Sequence, residues 1–154
     1  SAERHPFSLA EDVAADGGRP VLVVPGAVTR GTLQRALLAW DGSREVVRAL
    51  HDALPLLRQA EARLAIVTID PEPAAGDLAA LADHLARHRI VVETRTHLPG
   101  RGSTAEMLID RLRQGRFDLL VMGTFGHPAW LELLFGGTAP ATLGNAPVPV
   151  LVAR

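Results

Sequence analysis

The sequence predicts an α/β fold: a five-stranded parallel sheet of strand order 3-2-1-4-5 with helices on both faces. Three observations predict it. From Thr32 onward, short continuous apolar runs alternate with amphipathic segments. Such runs are the mark of strands covered on both faces. Gly, Pro and Asp punctuate the ends of the runs, as at Asp41-Gly42-Ser43, Asp70-Pro71, Pro99-Gly100 and Gly123. Finally, strand–helix–strand units cross over right-handedly, which leaves few strand orders.

The elements follow in chain order. Arg35–Trp40 (RALLAW) is the first strand, closed by Asp41-Gly42-Ser43. Ser43–Leu57 carries Val46, Val47, Leu50, Ala53, Leu54 and Leu57 at helical spacing. Pro55 lies inside this segment and predicts a kink or an early end. Arg63–Ile69 is the second strand. Asp77–His88 is an amphipathic helix on Leu78, Leu81 and Leu85. Ile90–His97 alternates more than the other runs and suits a sheet edge. Ser103 and Glu106 form a capping box that opens a helix through Gln114, and Gly115 ends it. Asp118–Gly123 is the fourth strand and Val148–Ala153 the last.

Composition prunes the chemistry. The chain has 154 residues and a net charge of −1, so no broad basic field for nucleic acid or an anionic membrane is implied. No apolar run is long enough to span a bilayer. There is no Cys, and every basic residue is Arg. Thiolate chemistry, a Schiff-base lysine and a phosphate-loop lysine are therefore excluded. Nothing in the sequence argues for export, so a cytoplasmic location is expected.

Residues 1–30 stand apart from this pattern. Pro20-Val21-Leu22-Val23 near the start recurs as Pro149-Val150-Leu151-Val152 near the end, and the segments before them correspond too. We read residues 1–30 as the last helix and strand of a preceding repeat domain and residues 31–154 as the main domain.

In order 3-2-1-4-5 the winding reverses between the first and fourth strands, and ligands bind in the crevice at their carboxyl ends. The sequence names its walls: Asp41-Gly42-Ser43 on one side, Met122-Gly123 to Gly126 on the other, and Gly136 to Thr138 nearby. A buried strand running into glycine turns and a helix start builds an anion site from backbone amides. Asp41 and Ser43 also serve as helix caps. His84 and His88 have the i, i+4 spacing of metal ligands but no evident third partner, so no metal site is assigned. Ser43 lacks the surroundings of a nucleophile elbow.

At these residues the chain resembles the universal stress protein family. Gly123-Thr124-Phe125-Gly126 is followed by nine residues and then Gly136, which is the family's glycine spacing. Trp40-Asp41-Gly42-Ser43 is similar to the end of its first strand, and Ala146–Val152 to its last. The resemblance implies an adenine nucleotide alpha hydrolase-like fold and a stress-response module without strong catalysis. It also implies a site for ATP, ADP or AMP, with Mg as a companion ion. Asp41 would accept from adenine or ribose, beside Gly42 and Ser43. Main-chain groups of Val67 and Met122 would edge the base. Gly123 and Gly126 would admit ribose and phosphate beside His127, and Gly136, Gly137 and Thr138 would cap the phosphates. One departure stands out: Gly137 occupies the place of the pattern's Ser or Thr, and Thr138 is displaced by one. A degenerate copy serving dimerisation or partner docking is therefore the alternative. The resemblance further implies that the last strand pairs across a homodimer or a tandem pair, with Val21–Val24 antiparallel to Val148–Val152.

Overall fold

The computed structural model describes residues 13, 16–26, 28, 31–69, 72–98, 104–123 and 146–154. Its elements are β1 (Val21–Val23), β2 (Arg35–Trp40), α1 (Arg44–Gln59), β3 (Arg63–Ile69), α2 (Ala75–Arg87), β4 (Val91–Leu98), α3 (Thr104–Gln114), β5 (Leu119–Gly123) and β6 (Val150–Ala153). They form one six-stranded sheet of order β1-β6-β5-β2-β3-β4. All neighbours are parallel except β1 and β6. Without β1 this is the order 3-2-1-4-5 expected from the sequence, and β1 is the extra antiparallel strand.

Period-two alternation along each strand divides the core into two layers. Leu37 and Ala39 of β2, Val67 of β3 and Leu120 and Met122 of β5 face Leu108, Ile109 and Leu112 of α3. Ala36, Leu38 and Trp40 of β2, Ile66 of β3 and Val121 of β5 face Val46, Leu50, Ala53, Leu54 and Leu57 of α1 and Leu81 and Leu85 of α2. Both faces are buried, so β2, β3 and β5 read as unbroken apolar runs. Burying each large side chain fully is worth about 1.5–3 kcal/mol.

Of the two outcomes expected at Pro55, the early end does not occur: α1 continues past it to Gln59. Pro55 lacks the N–H that would donate to the His51 carbonyl. His51 and Pro55 are both exposed, so water can satisfy that carbonyl. Leu50, Ala53, Leu54 and Leu57 meanwhile hold the opposite face on the sheet.

Polar groups fix the register at the lower end of the sheet. The Asp118 carboxylate accepts from the backbone N–H of Gln34 at 2.8 Å and of Arg35 at 3.0 Å. The Asp118 N–H donates to the Arg35 carbonyl at 2.8 Å. The Arg35 guanidinium donates through Nε to Glu93 at 2.8 Å and to the Gly115 carbonyl, and lies 4.6 Å from the Phe117 ring centroid. Glu93 reaches it from a β-bulge: Leu64 pairs with Val92 but Ala65 pairs with Thr94. The extra residue re-aims the edge strand, as bulges do. No helix among the described residues is long and apolar enough to cross a membrane.

Candidate functional site

The site begins where two parallel strands part. The β2–β5 ladder runs from Ala36↔Leu119 to Leu38↔Val121 and stops there. β2 stays with β3 as far as Trp40↔Thr68, and β5 stays with β6 as far as Gly123↔Ala153. A crevice therefore opens between the carboxyl ends of β2 and β5, at the point where the winding of the sheet reverses.

The chain leaves β2 through Asp41-Gly42-Ser43, a turn built by its own side chains. Asp41 Oδ1 accepts from the Ser43 N–H at 2.9 Å. Gly42 has φ +74°, a left-handed conformation that glycine adopts without steric cost. Ser43 caps α1: its Oγ accepts from the Val46 N–H at 3.2 Å, and its carbonyl accepts from Val47 at 3.2 Å. The turn thus orients the Asp41 carboxylate beside a helix start, where the backbone carries roughly +0.5 of an elementary charge. Arg44, the first residue of α1, is an exposed cation at the same place.

Gly123 meets this helix from the other side. A Cβ there would lie 2.7 Å from the Val46 backbone nitrogen and 2.8 Å from Glu45 Cβ. The bare glycine lets the first turn of α1 rest on the end of β5, a requirement that holds with or without a ligand. Met122 is buried and points its side chain toward α3. Val67 faces the same way and lies inside the ladder, paired with Ala39 and Thr96, while β3 continues to Ile69. Thr68 and Ile69, rather than Val67, stand at the rim on that strand. The structure therefore gathers Asp41, Gly42, Ser43 and Gly123 around the start of α1. Gly126, His127, Gly136, Gly137 and Thr138 lie outside the described residues.

A cavity of about 720 Å³ adjoins the turn on the α1–α2 face of the sheet. Trp40, Asp41 and Gly42 form one end. Val47, Leu50 and His51 of α1 and Asp77, Ala80, Leu81 and His84 of α2 form the walls, closed by Glu72-Pro73-Ala74. Among the described residues its charged lining is three carboxylates, Asp41, Glu72 and Asp77, with no Arg. Burial lowers the His84 pKa below its ordinary 6.5, and the neighbouring His88, Arg87 and His51 lower it further. Among the described residues no group of three or more His, Asp or Glu side chains could hold a metal ion. His84 and His88 pack as a pair of rings with centroids 4.7 Å apart. Sequence reading missed this cavity because its walls come from three separated segments. The sole local signal was Trp40, a large side chain at the end of a buried strand.

A model of the universal stress protein family matches residues 32–154. The chain belongs to the universal stress protein family. A universal stress protein from Archaeoglobus fulgidus has the same fold, with a TM-score of 0.68 at 22% identity over 95% of this chain and 53% of that one. The chain thus spans about half the length of that relative. A family member from Burkholderia pseudomallei gives a TM-score of 0.51 at 20% identity, covering 79% of this chain and 96% of its own. A universal stress protein solved in complex with cAMP gives 0.50 at 21% identity, covering 80% and 99%. At such identities the likeness is one of fold. No curated protein sequence matches the chain significantly.

Proposed function

We propose that this universal stress domain is a regulatory module of the stress response that binds an adenine nucleotide where β2 and β5 part. The observation that carries the proposal is the end of the β2–β5 ladder at Leu38↔Val121, directly below the Asp41-Gly42-Ser43 turn and the start of α1. ATP, ADP, AMP and the cyclic form held by one relative are the ligands considered.

The residues present fit such a ligand in two parts. The carboxylate-lined cavity repels phosphate and accepts a neutral group that donates hydrogen bonds, so base and ribose belong on the Asp41 side. Phosphates belong toward the start of α1, where Arg44 and the helix dipole favour negative charge. A magnesium ion would be held chiefly by the phosphates themselves, as that ion commonly is. The domain works by binding rather than by strong catalysis, in the cytoplasm. Gly137 favours a second reading, a degenerate copy that serves dimerisation or partner docking, because it removes a hydroxyl from the pattern's phosphate cap.

Thermal unfolding with ATP, ADP, AMP and cAMP, with and without magnesium, separates the two. A ligand at about 100 times its Kd adds about 2.7 kcal/mol. At about 2–4 °C per kcal/mol for a chain of this size, Tm rises by roughly 5–11 °C. Asp41→Ala should abolish the rise. No shift with any nucleotide at millimolar concentration would sink the nucleotide reading and leave the degenerate one.

A further inference from the structure

The lower end of the sheet, opposite the crevice, carries a second cleft of about 710 Å³, where the end of α1 meets the turn into β4. Among the described residues its apolar lining is Pro55, Ala62 and Val91, and its charged lining is Arg58, Glu61 and Arg89. The volume falls within the roughly 300–1,000 Å³ usual for small-molecule sites. Two of the apolar residues work against the fold. Pro55 interrupts the hydrogen bonding of α1. Val91 begins the edge strand β4 with 62% of its surface exposed. A ligand with an apolar body would cover both. Residues that break a local rule are expected where a protein works rather than where it merely packs.

The backbone holds the charged residues in place. Glu61 and Arg89 occupy matching turns of positive φ, +51° and +59°. The Ala62 N–H donates to the Leu57 carbonyl at 2.9 Å, and the Ile90 N–H to the Leu85 carbonyl at 3.0 Å. Each turn is thereby locked to the helix before it. Arg116 has the same conformation after α3, away from the cleft, so the turn belongs to the fold and the charges are what the cleft adds. The two turns lead into neighbouring strands, with Arg63 of β3 opposite Val91 of β4, and such strands lie about 4.8 Å apart. Glu61 and Arg89 each stand two residues before that pair. Among the described residues the side chains of Arg58, Glu61 and Arg89 make no hydrogen bond and no ion pair.

We propose that this cleft binds a small zwitterion with an apolar body, the chemistry of an apolar α-amino acid. A plain anion would meet the Glu61 carboxylate, and a plain cation would meet two guanidiniums. A neutral molecule would leave all three charges unused. A zwitterion answers each of them: its carboxylate accepts from Arg58 and Arg89, its ammonium donates to Glu61, and its side chain covers Pro55, Ala62 and Val91. Hydrogen bonds between ionised partners are the strong ones, and guanidinium suits a carboxylate in particular.

The test is a titration of the chain with L-leucine, L-methionine and L-phenylalanine, followed by backbone amide shifts in heteronuclear NMR. At least one of the three, at millimolar concentration, should move the Ala62 and Val91 amides saturably. R58Q and R89Q should each weaken that binding at least tenfold. E61Q should weaken the amino acid likewise, yet strengthen its N-acetyl derivative, which carries the carboxylate without the ammonium. Arg58, Glu61 and Arg89 are all exposed, so these variants should fold. The proposal is overturned if none of the three amino acids moves Ala62 and Val91 saturably, or if the shifts centre on Gly42 at the crevice instead. It is equally overturned if the N-acetyl derivative binds the wild type as tightly as the amino acid, or if E61Q weakens both ligands alike.

Discussion

Replacing Gly123 by Ala separates two reasons for a glycine at the end of β5. One is that a ligand must approach the backbone; the other is that α1 already does. The added methyl would sit 2.7 Å from the Val46 nitrogen, 2.8 Å from Glu45 Cβ and 3.0 Å from the Glu45 carbonyl carbon. Two of these are backbone atoms of a helix turn already tied to Ser43 by hydrogen bonds, so neither can swing aside as the tip of a flexible side chain can. Overpacking of this kind costs about 1–3 kcal/mol. Gly123 has no positive φ, so the alanine gains about 0.4–1 kcal/mol from the lower entropy of the unfolded chain. At the middle of both ranges the net loss is about 1.3 kcal/mol, or roughly 3–5 °C in Tm for a chain of this size. Thermal and urea unfolding of nucleotide-free protein measure it directly. Stability unchanged within about 0.5 kcal/mol, the usual range for a neutral substitution, would refute the packing argument and return Gly123 to the ligand.

Two further predictions concern α1 and α2. Pro55→Ala restores an N–H and removes the clash with the His51 carbonyl in α1, so it should stabilise the domain by about 1–2 kcal/mol in urea unfolding, most of the helix-interior penalty less the unfolded-state entropy that proline removes; destabilisation would mean that the ring itself is packed. His84 has a folded-state pKa below 6.5, from burial first and then from His88, Arg87 and His51. The unfolded chain therefore binds the proton more readily, and stability should fall as pH drops below 6.5 through the folded pKa. A pH series of urea midpoints for the wild type and His84→Gln should show a shallower fall in the variant; identical profiles would remove His84 from the account.

What the sequence disclosed follows from which interactions are local. β2, β3 and β5 were legible because both of their faces are buried, leaving apolar runs bounded by turn residues. The strand order came from the handedness of crossovers, and β1 came from the repeated Pro-Val-Leu-Val. The polar anchors at the lower end escaped notice: Arg35, Glu93 and Asp118 lie far apart in sequence, and nothing in Val91–Leu98 marks Glu93 as a bulge. The kink or early end expected at Pro55 came from a local proline rule, whereas the contacts that carry α1 on to Gln59 are tertiary. At the candidate site the turn Asp41-Gly42-Ser43 was legible as chemistry. The cavity beside it was not, since Glu72, Asp77 and His84 come to face His51 only after α1 and α2 have docked on the same face of the sheet.

The two layers of the core bear on how a ligand could act here. Trp40 turns its side chain to the α1–α2 layer, and Met122 and Val67 turn theirs to the α3 layer. A molecule at the parting of β2 and β5 thus meets Met122 and Val67 through main chain alone, if at all. α1 is different, because several parts of the site meet it directly. Ser43 caps it, Gly123 receives its first turn, and Val47, Leu50 and His51 form a wall of the adjoining cavity. Its far end is locked into the core by Leu54 and Leu57. A ligand that tightens the Asp41 turn would therefore act directly on the start of α1.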